Sequence, residues 1–245
     1  MKHSVQLFVI LFMTFPIFTS CNFLTGKPVY GDHQLVNQQI DISDYVTIII
    51  NIPGDVNYQQ FSDSAPYFQI HTDENILKAL NVRVENNQLI IEAKKDSVIK
   101  PSQLTIYTCS HNLNQATLAG AGNLRLKGEV NSKDFKLDIT GAGNFLADSL
   151  LCNELAAKIT GSGKIQLTGA SNSALYQITG SGNFHAFNNL VQELDCEITG
   201  TGNIEAAVTK KLNANITGAG NISFRGNPES INQKVTGSGK VSSVN

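Results

Sequence analysis

The sequence predicts an all-β chain: a parallel β-solenoid (β-helix-like) of about seven coils of ~20 residues, with an N-terminal all-β half capping and continuing the same core. Three observations predict it. A Gly-x-Gly motif recurs seven times, at Gly120 and Gly122, Gly141 and Gly143, Gly161 and Gly163, Gly180 and Gly182, Gly200 and Gly202, Gly218 and Gly220, and Gly237 and Gly239. Successive first glycines lie 21, 20, 19, 20, 18 and 19 residues apart. Stretches with apolar residues at every second position run up to the motif, as in Leu194-Asp195-Cys196-Glu197-Ile198, and short apolar stretches such as Ile165-Gln166-Leu167 follow it. Period two marks a strand with one face buried.

The chain opens on a leader. Lys2 and His3 make a polar start, residues 5–18 are apolar apart from Gln6 and Thr14, and the small Thr19 and Ser20 precede Cys21. This is the layout of a signal peptide over residues 1–20. Its apolar run is shorter than the ~20 residues a membrane span needs. Phe18-Thr19-Ser20-Cys21 resembles the lipobox of bacterial lipoproteins, whose cysteine is acylated and becomes the mature N-terminus. Cys21 is therefore the expected lipidation site, anchoring the protein to a membrane. Residues 21–34, with Gly26, Pro28 and Gly31, then form the lipidated Cys and its tether. The expected location is the cell envelope, anchored by lipid at the outer membrane, facing the periplasm or the surface.

Composition narrows the partners. The formal net charge is -2, and without residues 1–20, which hold only Lys2, 17 basic residues stand against 20 acidic. No clustered basic face exists for nucleic acid. Trp is absent and aromatics are 7%, so a sugar site would rest on Tyr or Phe.

Residues 35–117 read as an N-terminal β region without the repeat. The apolar run at residues 46–50 is a strand, and Pro53-Gly54-Asp55 is a turn. Residues 68–71 begin another strand, and residues 74–80 suit a helical turn or two. Val82-Arg83-Val84, a polar Glu85-Asn86-Asn87 turn and Leu89-Ile90-Ile91 form a hairpin. Leu104-Thr105-Ile106-Tyr107 leads into the repeats.

Residues 118–245 are the Gly-x-Gly-Asn repeat solenoid, with residues 35–245 as one continuous domain. A corner repeated in every coil needs positive φ or close backbone approach, and glycine supplies both. All fourteen motif glycines are accordingly expected at structural repeat turns. The middle residue is always Ala, Ser or Thr, small enough to stack on itself. The following Asn can bond its neighbours as a ladder, which Lys164 and Lys240 interrupt. Stacking at ~4.8 Å per coil gives a rod of about 30–35 Å. The last residues leave an open strand edge that a partner or a second copy could cover.

Other repeat architectures fit poorly. The Leu-x-x-Leu-x-Leu pattern of leucine-rich repeats is missing, and so is the turn carboxylate of nine-residue calcium rolls. No helix follows the glycines, as a phosphate loop would require. Thr140, Thr160, Thr179, Thr199, Thr217 and Thr236 form one column, where ice binding would need a flat array.

Together, the seven motif copies, the Cys-terminated leader and the run Val82-Arg83-Val84-Glu85-Asn86-Asn87-Gln88-Leu89-Ile90-Ile91-Glu92 resemble a bacterial family named for an auto-transporter adhesin, head GIN domain. The likeness covers roughly residues 40–225. It implies a β-helix-like domain in envelope proteins, often lipoproteins, and carries no catalytic residues.

Chemistry-bearing clusters are scarce. Outward Asp138, Lys158, Glu197 and Asn215 fall one per coil with mixed signs, and Asp138 and Glu197 are three coils apart. That separation, about 14 Å, is too long for a glycosidase pair. His33, His71, His111 and His185 show no zinc spacing. Cys109, Cys152 and Cys196 allow one disulfide with a thiol left over, but Cys196 sits on the inward set beside Leu194 and Ile198. No catalysis, cofactor or metal is expected. The expected function is a non-catalytic binding module, an adhesin for glycan or protein ligands. An envelope-structural or regulatory protein engaging a partner, or a second copy, through the solenoid end is the alternative. A polysaccharide-degrading β-helix enzyme ranks last.

Overall fold

The protein is described by a computed structural model covering residues 26–244. The leader and Cys21 lie outside the described residues. Each coil is a three-sided loop of strand. An approach face runs into the glycine corner (residues 134–140), an exit face leaves it (residues 144–147), and a short return face (residues 149–152) leads to the next approach. The chain stays extended around the bends, so single strands such as Asn144–Gly161 and Asn183–Gly200 span return and approach faces together.

Every coil of the repeat pairs in parallel with the next. Because the side-chain period is two, register stacks like on like. Leu137, Ala157, Tyr176, Cys196 and Ala214 form one buried inward column. Asp138, Lys158, Gln177, Glu197 and Asn215 form an outward one. Where an inward column changes size, a neighbour compensates: Tyr176 stacks on Phe184 with centroids 4.9 Å apart.

The two glycines of a corner do different work, so the turn expected of all fourteen divides in two. The first of each pair, Gly120, Gly141, Gly161, Gly180, Gly200, Gly218 and Gly237, lies in the positive-φ region, where any other residue is strained. The second of each pair, Gly122, Gly143, Gly163, Gly182, Gly202, Gly220 and Gly239, stays outside that region and is held to glycine by crowding alone. A Cβ on Gly163 would lie 2.6 Å from the Gly143 carbonyl oxygen and 2.9 Å from Ile139 Cγ2. On Gly122 it would press on Ile52 O, on Gly182 on Ile159 Cγ2, on Gly202 on Gly182 O, and on Gly220 on Gly202 O. The backbone of the preceding coil takes the space a side chain would need. That close approach keeps the ladder unbroken through the bend. Ser162 N–H donates to Gly141 O at 2.9 Å, and Lys164 N–H to Gly143 O at 3.2 Å.

The seven corners bound about six full turns, where the sequence suggests about seven coils. Counting motifs counts corners, and a stack has one more corner than complete turn. The N-terminal half extends the same stack. Thr47–Asn51 lies parallel to Gln115–Gly120, and Asp55–Gln60 lies parallel to Asn123–Gly141. The turn at Pro53-Gly54 is thus itself a corner, with Gly54 at φ 132° and Asp55 in register with Asn123. Further out the pairing turns antiparallel: Leu80–Glu85 closes on Gln88–Ala93, and Leu35–Ile40 and Tyr67–Asp73 extend the exit face. The helix occupies Glu74–Ala79 with Ile76 buried beneath it.

Asp73 ties this cap together. It stands at the N-cap position yet makes no side-chain cap bond to the helix. Its fully buried carboxylate instead accepts from His33 N–H at 2.9 Å, Ser102 N–H at 2.8 Å and Ser102 Oγ at 2.5 Å. Burial alone would raise its pKa; the Ser102 hydroxyl and the backbone N–H groups of Ser102, His33 and Gln103 outweigh that and hold it below the ordinary Asp value.

At the far end, Ser230–Gly237 has no strand on its outer side and is exposed throughout. Ile231 and Val235 occupy inward columns at 46% and 39% exposure. Two other inward positions change character in this last coil: Gln233 follows Ala214, and Ser243 follows Phe224. Polar residues at inward positions of a terminal coil blunt an edge.

Candidate functional site

The exit face carries a concavity that follows the stack of coils. A groove of about 420 Å³ crosses five coils between two outward columns. One column is Thr105, Asp55, Asn123, Asn144 and Lys164; the other is Tyr107, Asn57, Arg125, Leu146 and Gln166. Four steps at the coil spacing make it about 19 Å long. Both columns exist because alternate residues of a strand leave the same face, and because the corners hold successive coils in step.

Polar partners inside the groove are ordered by the stack. Asn123 Nδ2 donates to Asp55 Oδ1 at 2.7 Å, and Asn144 Nδ2 to Asn123 Oδ1 at 2.8 Å. Beyond Lys164 the ladder resumes, Asn203 donating to Asn183 and Asn221 to Asn203, both at 3.0 Å. Arg125 is held by Asp148 through Nη2 at 2.9 and 3.2 Å. Tyr107, 40% exposed, closes one end, with Lys127 Nζ 5.1 Å from its ring centroid. Amide edges, an aromatic face and fixed charges at a regular repeat can make many parallel hydrogen bonds to a ligand with a similar repeat.

The other positions singled out in the sequence are distributed by the fold. The paired glycines, from Gly120 and Gly122 to Gly237 and Gly239, line one edge of the rod and none of them lines the groove. The Thr140 to Thr236 column beside them is solvent-exposed. Asp138 and Glu197 share a column three coils apart, with Gln177 Nε2 donating to Glu197 at 2.6 Å between them. The structure does bring together Asp134 and Glu154, one coil apart on the approach face, a pair that alternation around the motif does not reveal. Asp134 is 53% exposed and lies 3.8 Å from Lys133 Nζ, so it faces water and a counter-charge. No group of three or more His, Cys, Asp or Glu among the described residues could hold a metal ion. His185 meets Glu205 at 2.8 Å and His111 meets Asp44 at 3.0 Å, each as a lone pair.

Cys109, Cys152 and Cys196 are free thiols, the first and last buried. Burial, followed by the Asp134 charge, pushes the half-buried Cys152 thiol up to about 11 from 9.0. Cys196 is pushed further in the same direction by burial and Asp195, and Cys109 is also raised by burial. Thiolate is the reactive form, so at pH 8 Cys152 should react with a maleimide about a hundredfold more slowly than an unperturbed thiol. Cys109 and Cys196 should react only on unfolding. Peptide mapping after timed labelling checks this, and rapid native labelling of Cys196 would contradict its placement.

Among the described residues no helix is long and apolar enough to cross a membrane. Residues 44–228 match a protein family described as "Putative auto-transporter adhesin, head GIN domain". The chain belongs to this family. Solved structures agree. A "putative adhesin" from Bacteroides fragilis superposes with TM-score 0.84 at 23% identity, covering 88% of this chain and all of that one (100%). A "putative adhesin" from Parabacteroides merdae gives 0.73 at 29% identity, with 89% and 99% covered. A "putative lipid binding protein" from Parabacteroides distasonis gives 0.75 at 26% identity, with 89% and 100% covered. Comparison with the curated proteins found no match. The family and these neighbours of the head GIN domain are described as adhesins and, in one case, as a lipid binding protein.

Proposed function

We propose that this protein is a non-catalytic binding module of the bacterial envelope, held to a membrane by a lipid on Cys21, which takes saccharide chains in the exit-face groove. The observation that carries this reading is the groove itself: five coils of outward amides and charges with an exposed Tyr107 at one end. Pyranose rings present hydroxyls to amide edges and a C–H face to an aromatic ring. A chain of such rings laid along the rod would meet the Tyr107 ring at one end and a polar side chain in each following coil. The hollows on the approach face have no exposed aromatic; the larger, about 450 Å³, is edged by Asp134, Glu154 and Asp195. Family membership supports an adhesin-like role, and multivalent display on a membrane would raise weak single-site affinity.

The side of the rod is favoured over its end by the last coil. Gln233 and Ser243 replace apolar residues where a stacking partner would need them. The test is a saccharide array probed with the purified, multimerised protein and its Tyr107→Ala variant. Binding to related saccharides is expected, weakened about five- to tenfold in the variant. A folded protein that binds no saccharide, or binds equally well without Tyr107, would overturn the groove as the site.

A further inference from the structure

The geometry points to a negatively charged saccharide, one bearing carboxylate or sulfate groups, as the ligand class of the groove, with Lys164 as the residue that reads the charge. This rests on the saccharide reading above and deepens it. The argument starts from a defect in a ladder. Five of the seven motifs place Asn after the second glycine: Asn123, Asn144, Asn183, Asn203 and Asn221. Each pair of adjacent Asn coils is joined by an amide bond of 2.8–3.0 Å. Lys164 breaks the run between Asn144 and Asn183. A second break, at Lys240, falls on the last described coil, at the end of the described stack. Lys164, by contrast, interrupts an interior column, and it does so inside the groove.

The substitution removes two amide bonds from an exposed ladder and puts a cation in their place. Among the described residues that cation has no hydrogen bond or ion pair, and Asn144 Oδ1, which Asn would have bonded, accepts nothing from the next coil. The other cations of the groove are already engaged: Arg125 is paired with Asp148, and Lys127 sits over the Tyr107 ring. Asp55 accepts from Asn123 and keeps its negative charge, but it stands three coils from Lys164 in the column. Lys164 is therefore the groove's unpaired cation among the described residues. An ammonium beside an open amide oxygen offers an anionic group charge-assisted donors from Nζ, and the same saccharide's hydroxyls can donate to Asn144 Oδ1.

Lys164→Asn is the test, because Asn is what the repeat itself uses there, so the variant should keep its fold and melt no lower than the parent. Parent, Lys164→Asn and Tyr107→Ala proteins are compared on one array holding neutral, uronate-bearing and sulfated saccharides, with circular dichroism as the fold control. The parent is expected to prefer anionic saccharides, less so as salt is raised. Lys164→Asn should lose about tenfold on these and clearly less on neutral saccharides, so that the ratio of anionic to neutral binding falls. Which anionic arm responds, uronate or sulfate, identifies the source of the charge. If Lys164→Asn binds anionic saccharides as the parent does, while Tyr107→Ala weakens all binding, the charge inference is overturned and the saccharide reading stands. If the folded parent binds nothing in any arm, both fall.

Discussion

Gly180→Ala is expected to destabilise the protein by about 4 kcal/mol, at the high end for a single substitution. Two costs combine. Gly180 has φ 121°, and placing an L-residue there costs about 1–2 kcal/mol of backbone strain. The added Cβ would also stand 2.5 Å from the Gly161 carbonyl oxygen. That oxygen is not free to retreat, since it accepts from Ser181 N–H at 2.9 Å and so closes the ladder through the bend. The first Gly-x-Gly corner provides the control. Gly120 has φ 92° but nothing within 4 Å of an added Cβ. Gly120→Ala should then cost only the strain, about 1–2 kcal/mol. Urea unfolding of both variants separates the terms. Equal losses would mean that collision with the neighbouring coil contributes nothing.

Asp73→Ala should cost about 2 kcal/mol at pH 7, because it removes the charge-assisted bonds by which the buried carboxylate holds Ser102 and His33, whose exposed donors water can then satisfy. The pH dependence has a definite sign. The folded-state pKa lies below the unfolded value, which is about 3.9. Its stabilisation is therefore fully present above that value and is lost as pH falls through the lower, folded pKa. The gap between parent and variant should be widest at neutral pH and narrow below about pH 4. Thermal melts of both at pH 7 and pH 3 measure it. A gap that stays constant would show that the carboxylate charge is not what holds the cap.

Most of the repeat region was legible because each coil repeats the same chemistry. Alternation put Leu194, Cys196 and Ile198 on the inward side, and all three are buried. The hairpin at residues 80–93 and the helix at 74–79 also announce themselves locally, through a polar turn and a short apolar period. What stayed hidden depends on distant pairing. Which glycine of a pair answers to φ and which to crowding is one example: Gly200 and Gly202 look alike in the motif, and only the stacked coil tells them apart. Pro53-Gly54 reads as an ordinary turn because it keeps one glycine of the pair and has Asp55 where the motif has Asn. The groove needs that corner: its columns join residues 55, 105 and 123 through pairings that periodicity does not encode. The return face was obscured for another reason. Its inward column runs Val130, Leu150, Gly169 and Asn189, a sequence with no shared residue type. Asp73 directly precedes the helix, and only the fold shows its carboxylate turned toward Ser102 and His33.

The placement of the groove also decides how the molecule would carry force. Residues 27–30 enter beside Ser97–Lys100, and that strand leads directly into Leu104–Ser110, the first rung of the groove. A pull applied between the start of the described chain and a ligand in the groove would pass through the cap and the nearest rungs alone. The later coils, up to Lys240–Ser243, lie outside that path and would hang slack. Hydrogen bonds between rungs point along the rod, so tension on the loaded part would draw them apart lengthwise, one rung at a time, instead of shearing many together. The Asp73 clamp sits on this loaded stretch, joining residues 33, 73 and 102, and it is there, next to the start of the described chain, that resistance to detachment would be set.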